Sequence, residues 1–192
     1  MKKIMFNDKY GLTEAVLEGR KTMTRRAIAA SIGEVHYRPT VSKCYFFSDS
    51  NDREVDPRYH IGEVVAIAQN YAAAGFSGNE IDREPITLKS RGLIISSKGW
   101  NNKMFVRAEA MPHHIRITDI KVERMQDISD EDCIKEGVNQ YNDGVGFWVQ
   151  RLPFVLYSTP RKAFAALIDK VSGKGTWDSN PWVFAYTFRL ED

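Results

Sequence analysis

The last strand-like stretch of the chain constrains the fold most. Between Trp182 and Leu190, Trp182, Phe184, Tyr186, Phe188 and Leu190 fall on one parity, and Val183, Ala185, Thr187 and Arg189 on the other. Neighbouring strand residues point to opposite faces, so this pattern predicts a strand buried on one face and nearly so on the other. Such a strand belongs in the wall of a small barrel covered by helices.

A second long strand is expected over residues 115–128. Ile115 and Ile117 share one parity, Ile120 and Val122 the other. One face can hold both pairs only if the register slips, so a β-bulge is expected near Thr118 and Asp119. Shorter strands are expected at residues 3–6, 21–28 and 64–69. Tyr45-Phe46-Phe47 is expected to pair in a hairpin with residues 35–37 or with Val41, and Gly92-Leu93-Ile94-Ile95 to form a short strand.

Helices are expected over residues 7–18, after the cap at Ser129 as far as Gly137, and from Thr159 to Gly173. In the last of these Pro160 takes the first helical position, and Phe164, Leu167, Ile168 and Val171 recur with helical spacing. Residues 139–158 are expected to be an aromatic-rich connection. Several short strands, two or three helices and no βαβ rhythm predict an α+β fold with a β-barrel centre.

The 192 residues suit one domain, with insertions around residues 38–58 and 76–99. With 43% hydrophobic and 27% charged residues, a core is expected and global disorder is not. No apolar run reaches the ~20 residues that cross a bilayer. The first residues lack the apolar centre of a signal peptide, and the two cysteines have no pairing pattern, so a cytoplasmic setting is expected. A net charge of +2 is too mild for wrapping duplex DNA by charge, but it allows a local basic patch. The four histidines have no ligand spacing, so no metal is expected, and no nucleotide-binding glycine motif points to a cofactor.

The candidate patch is Gly19-Arg20-Lys21-Thr22-Met23-Thr24-Arg25-Arg26, with four cations and two hydroxyls in eight residues. Gly19 follows a helix where a positive φ is often needed, so the chain turns there and presents an extended basic segment. A plain solvated edge strand would show the same composition. Alternatively, the segment suits an anionic or carbonyl-bearing ligand.

Helix followed by G-R-K-T-x-T-R-R resembles the opening of the ASCH domain family, a relative of PUA domains. Further matching stretches are the turn and strand at residues 62–69, the run 115–128, Ser129-Asp130-Glu131-Asp132-Cys133-Ile134-Lys135-Glu136-Gly137, and Trp177-Asp178-Ser179-Asn180-Pro181-Trp182. The order is that of the longer members, many of them in phages and bacterial mobile elements. The resemblance implies a PUA-like small β-barrel with flanking helices. It also implies one of two functions. One is a basic cleft that binds RNA, a nucleotide or a nucleoside through Arg20, Arg25, Arg26, Gln69, Asn70 and Tyr71, with Trp100, Trp148 and Phe76 as further stacking candidates. The other is an amidohydrolase that deacylates N4-acetylcytidine-type nucleosides with Lys21, Thr24 and Glu136 as its catalytic set. In the second case Thr24 would be the nucleophile, Lys21 its base, and Glu136 the residue that handles water or the leaving amine's proton. One departure is visible: many longer members carry Arg-Glu where this chain has Ala68-Gln69.

Overall fold

Burial of apolar side chains on both parities puts the strand Trp182–Leu190 inside a sheet, and the computed structural model places it there. The structure describes residues 1–28, 55–76, 97–142 and 145–191, together with the backbone of 36–39 and 45–48. Five strands form the main sheet: β1 (Lys3–Ile4), β2 (Met23–Ala27), β5 (Val64–Ile67), β6 (His114–Arg124) and β9 (Trp182–Leu190), in the order β1-β5-β6-β9-β2. β1 and β5 are parallel and the other pairings are antiparallel. Val183, Phe184, Ala185, Tyr186 and Phe188 are all buried, so both faces of β9 are covered as its sequence predicts. The fold is mixed α and β around this sheet, whose outer strands are β1 and β2; the described strands form no closed barrel.

The expected bulge lies in β6. Ile117 pairs with Phe188 and Asp119 with Thr187, leaving Thr118 as the extra residue. The slip lets Ile115, Ile117 and Ile120 all enter the core despite their opposite parities.

Two small two-stranded sheets complete the strands. β3 (His36–Pro39) and β4 (Tyr45–Ser48) form the expected hairpin, with His36 opposite Ser48. β7 (Val138–Tyr141) and β8 (Gly146–Val149) form another inside residues 139–158, a stretch read from the sequence as an irregular connection. The expected strand at residues 92–95 lies outside the described residues.

The helices are α1 (Leu12–Leu17), α2 (Asp130–Lys135), α3 (Pro160–Ser172) and α4 (Thr176–Ser179). The expected helix over residues 7–18 is divided at Gly11, whose φ of 65° ends a short 3₁₀ turn capped by Asn7 before α1 starts. Ser129 caps α2 by accepting from Asp132 N, and Thr159 caps α3 by accepting from Lys162 N. Ala163, Phe164, Leu167 and Ile168 bury one face of α3 in the main core. No helix among the described residues is long and apolar enough to cross a membrane.

Phe164 is 1% exposed in that core. Phe164→Ala is expected to lower the unfolding free energy by about 3–5 kcal/mol, read as a shifted midpoint in urea.

Candidate functional site

Gly19 has a φ of 73°, which only glycine adopts without penalty, and it reverses the chain after α1. The residues after it are anchored on two sides. Lys21 N donates to Ala15 O at 2.8 Å, and Thr22 N donates to Lys135 O at 2.9 Å. Lys21 therefore sits in the connection, and regular β2 pairing begins at Met23. On a continuous strand Lys21 and Thr24 would face opposite ways. Held in this connection, both line a single cavity.

Glu136 reaches the same place from α2. Ser129 and three acidic residues start that helix, and Gly137, with a φ of 106°, turns the chain away just after Glu136. A Cβ on Gly137 would stand 3.1 Å from Leu12 Cδ2, so any other residue there would also crowd the leucine, while Lys21 Cδ at 3.7 Å would be in ordinary contact.

Lys21 is 2% exposed and Glu136 5%. Lys21 Nζ donates to Glu136 Oε2 at 2.6 Å and to Glu136 O at 2.7 Å. Arg25 holds the other carboxylate oxygen: its Nη1 donates to Glu136 Oε1 at 3.2 Å. Arg25 also donates to Glu123 Oε1 through Nε (2.9 Å) and Nη2 (2.5 Å), and to Asp132 Oδ2 through Nη2 (3.1 Å). Lys135 closes the group through Asp132 Oδ1 at 3.1 Å. Three cations therefore meet three carboxylates, and the group has no net charge. Buried ions persist only when paired and hydrogen-bonded in this way.

Burial pushes the Lys21 ammonium below its ordinary range, and the adjacent Glu136 carboxylate offsets this only in part. For Arg25, burial acts downward, but Glu136 and Glu123 overcome it and hold the guanidinium above its ordinary range. For Asp132, burial acts upward, but hydrogen bonds from Lys135 and Arg25 prevail and hold the carboxyl low. Burial pushes the Cys133 thiol up to about 12, which leaves it a poor nucleophile near neutrality.

The cavity holds about 670 Å³. One wall is polar, with Lys21, Thr24, Arg25 and Glu136. The facing wall is apolar and comes from Phe164, Leu167, Ile168 and Val171 of α3. Lys9, Arg26 and Lys103 stand around it. This size and mixture suit a small organic ligand with one polar, reactive end. Among the described residues no group of three His, Cys, Asp or Glu side chains is arranged to hold a metal ion.

The structure thus brings together Lys21, Thr24, Arg25, Arg26 and Glu136, and separates the other sequence candidates. Arg20 points away, to Glu18, Asn139 and Gln150. Gln69 is buried against Met111, and its Oε1 has no partner. Asn70 Oδ1 caps a local turn by accepting from Ala73 N. Tyr71 is buried in a second apolar cluster with Ala66, Ala68, Val106 and Met111, against which Phe76 and Trp100 pack. Trp148 lies against Phe154. None of these lines the cavity.

Sequence reasoning missed Glu123 and Asp132. Asp132 was recoverable, because it precedes Glu136 by four residues on one helix and so shares its face. Glu123 depends on the register of β6 after the bulge, for which there is no local signal.

Two measurements test the ion network. Glu136→Leu strands the buried Lys21 ammonium and is expected to cost about 3–5 kcal/mol in urea unfolding. Lys21→Met, which leaves Glu136 on Arg25, is expected to cost less. Asp132 has a folded pKa below the ordinary 3.8, so its contribution is present above that pH and is lost as the pH falls through the folded value. The stability gap between wild type and Asp132→Asn is therefore expected to be constant near neutrality and to shrink below about pH 4.

Comparison of the chain with protein-family models, with curated proteins and with solved structures finds no match. The functional reading therefore rests on the residues that meet at this cavity.

Proposed function

We propose that the large cavity is the active site of an amidohydrolase that removes the acyl group from the exocyclic amine of an N4-acetylcytidine-type nucleoside, in an ASCH-type protein whose five-stranded sheet is the centre of a PUA-like barrel. One observation carries this reading. The buried Lys21–Glu136 pair, 2.6 Å apart, lines the same cavity as Thr24. A buried lysine whose pKa is lowered and whose partner is a carboxylate is suited to moving protons, and a hydroxyl on the same cavity is suited to attack.

The reaction runs in two balanced steps. Thr24 Oγ1 adds to the acyl carbon while Lys21, as the free amine, takes the hydroxyl proton. The C–N bond breaks and that proton passes, through Lys21 or Glu136, to the departing nitrogen. Water then adds to the threonine ester, with the same pair handling its proton, and releases a carboxylic acid and free Thr24. The sum is amide plus water giving amine plus acid.

The second reading, a module that binds RNA or a nucleotide without chemistry, is supported by Arg26 and Lys9. Both line the cavity, and neither has a carboxylate within ion-pair distance among the described residues. Against a purely basic cleft, Lys21 and Arg25 are already neutralised by their own carboxylates and offer little to a phosphate.

Purified protein incubated with N4-acetylcytidine is expected to release cytidine, followed by chromatography. Lys21→Ala and Thr24→Ala are each expected to lower kcat/KM by at least about 100-fold. A folded wild-type protein that releases nothing would leave the binding module. The rate is also expected to rise with pH as Lys21 loses its proton. Because burial lowers that pKa, the midpoint should lie below the 10.5 of an ordinary lysine. A rate that tracks an unshifted lysine would remove Lys21 as the base.

A further inference from the structure

A second cavity of about 350 Å³ adjoins the first. The two share Met5, Arg26 and Ala27 in their linings, so the Arg26 side chain forms part of the partition between them. The smaller cavity is also lined by Tyr59, Tyr186, Asp56 and Arg58. Among the described residues its lining holds two guanidinium groups and one carboxylate, a formal excess of one positive charge. This is the reverse of the larger cavity's polar wall, where every cation of the buried network already has its carboxylate.

Among the described residues both arginines keep donors for a ligand. Arg26 is exposed and uses Nη2 on Met5 O at 2.6 Å. The Arg58 backbone is pinned at both ends: its N donates to Tyr186 Oη at 3.1 Å, and its O accepts from Lys2 Nζ at 2.8 Å. Its guanidinium lies 5.7 Å over the Tyr59 ring. The exposed side chain thus projects from a fixed backbone and is steadied by the ring contact before it binds. Burial raises the Tyr59 hydroxyl, and Arg58 and then Arg26 act against this. Two guanidinium groups lining one partly apolar pocket are groups that phosphate oxygens fit.

We propose that the smaller cavity is a phosphate subsite, seating the phosphate of a ligand whose base enters the larger cavity past Arg26. The proposal rests on the nucleoside reading above and narrows its substrate class from free nucleosides to phosphorylated ones. The phosphate has two sources, the monoester of a mononucleotide and the diester of a single strand. Their shared chemistry is a phosphoryl group one sugar away from the base.

The test is equilibrium titration of the full chain with cytidine, with cytidine 5′-monophosphate and with a short single-stranded oligocytidylate, at low and at moderate salt. At least one phosphorylated probe is expected to bind about tenfold more tightly than cytidine, as one or two charge-assisted hydrogen bonds provide. The advantage should shrink with added salt and largely vanish in Arg58→Ala, while Arg58→Lys retains part of it. A gain confined to the mononucleotide assigns the monoester, and a gain confined to the oligonucleotide assigns the strand. Equal binding of all three probes overturns the proposal, as does binding of none. Failure of the underlying reading is separable: a phosphate advantage without deacetylation keeps the subsite and removes the amidohydrolase. Deacetylation of nucleoside and nucleotide alike, with equal affinities, keeps the enzyme and removes the subsite.

Discussion

The placement of two cations out of water against their carboxylates is the interaction on which the rest of this structure depends. Lys21 and Arg25 are 2% and 5% exposed, and in that environment an unpaired charge costs several kcal/mol. The cost is met only if Glu136, Glu123 and Asp132 all arrive. Glu136 and Asp132 come from α2 and Glu123 from β6, while the cations come from the β2 segment. The group therefore joins parts of the chain about a hundred residues apart. The turn at Gly19, the tie from Thr22 N to Lys135 O and the positive φ at Gly137 all serve the same contact. Burial of apolar surface stabilises the sheet, but the ion group fixes how α2 sits on it.

The same group decides how the cationic run at residues 20–26 is read. As a string of letters it is a basic patch. In the folded chain Arg20 is spent on a surface cluster, Lys21 and Arg25 on their carboxylates, and Arg26 alone remains at the partition of two cavities. Charge density along a sequence is therefore a poor guide to the potential a ligand meets, because neutralising partners come from elsewhere in the chain. What remains is a neutral polar wall in one chamber and, among the described residues, a weakly cationic lining in the next. The proposed chemistry and the proposed phosphate subsite both rest on that difference.

The sequence was informative where one residue or one period carries the physics. The alternation in Trp182–Leu190 predicted its two-sided burial, the parity break at Thr118 predicted the bulge, and Ser129, Thr159 and Gly173 marked helix ends. The resemblance, rather than any local pattern, grouped Lys21, Thr24 and Glu136, and all three line one cavity. The hairpin β7–β8 escaped because its strands alternate weakly, although Asp143-Gly144 between them is a two-residue turn signal in the sequence. Gln69, Asn70 and Tyr71 were expected at the site from the resemblance. Tyr71 instead packs in a separate apolar cluster and Asn70 caps a local turn, tertiary placements absent from the local pattern.

The position of β9 has a consequence for the order in which the protein assembles. It lies between β6 and β2, yet it follows both in the chain. Until residues 182–190 have left the ribosome, β2 has no partner in the main sheet and β6 has one bare edge. The nascent chain therefore carries β2 without its partner from Ala27 until β9 emerges, and one edge of β6 bare from Arg124 until the same point. Bare edges of this kind are where other chains pair, so the interval before β9 is inserted is the one in which this topology is most exposed to misassembly.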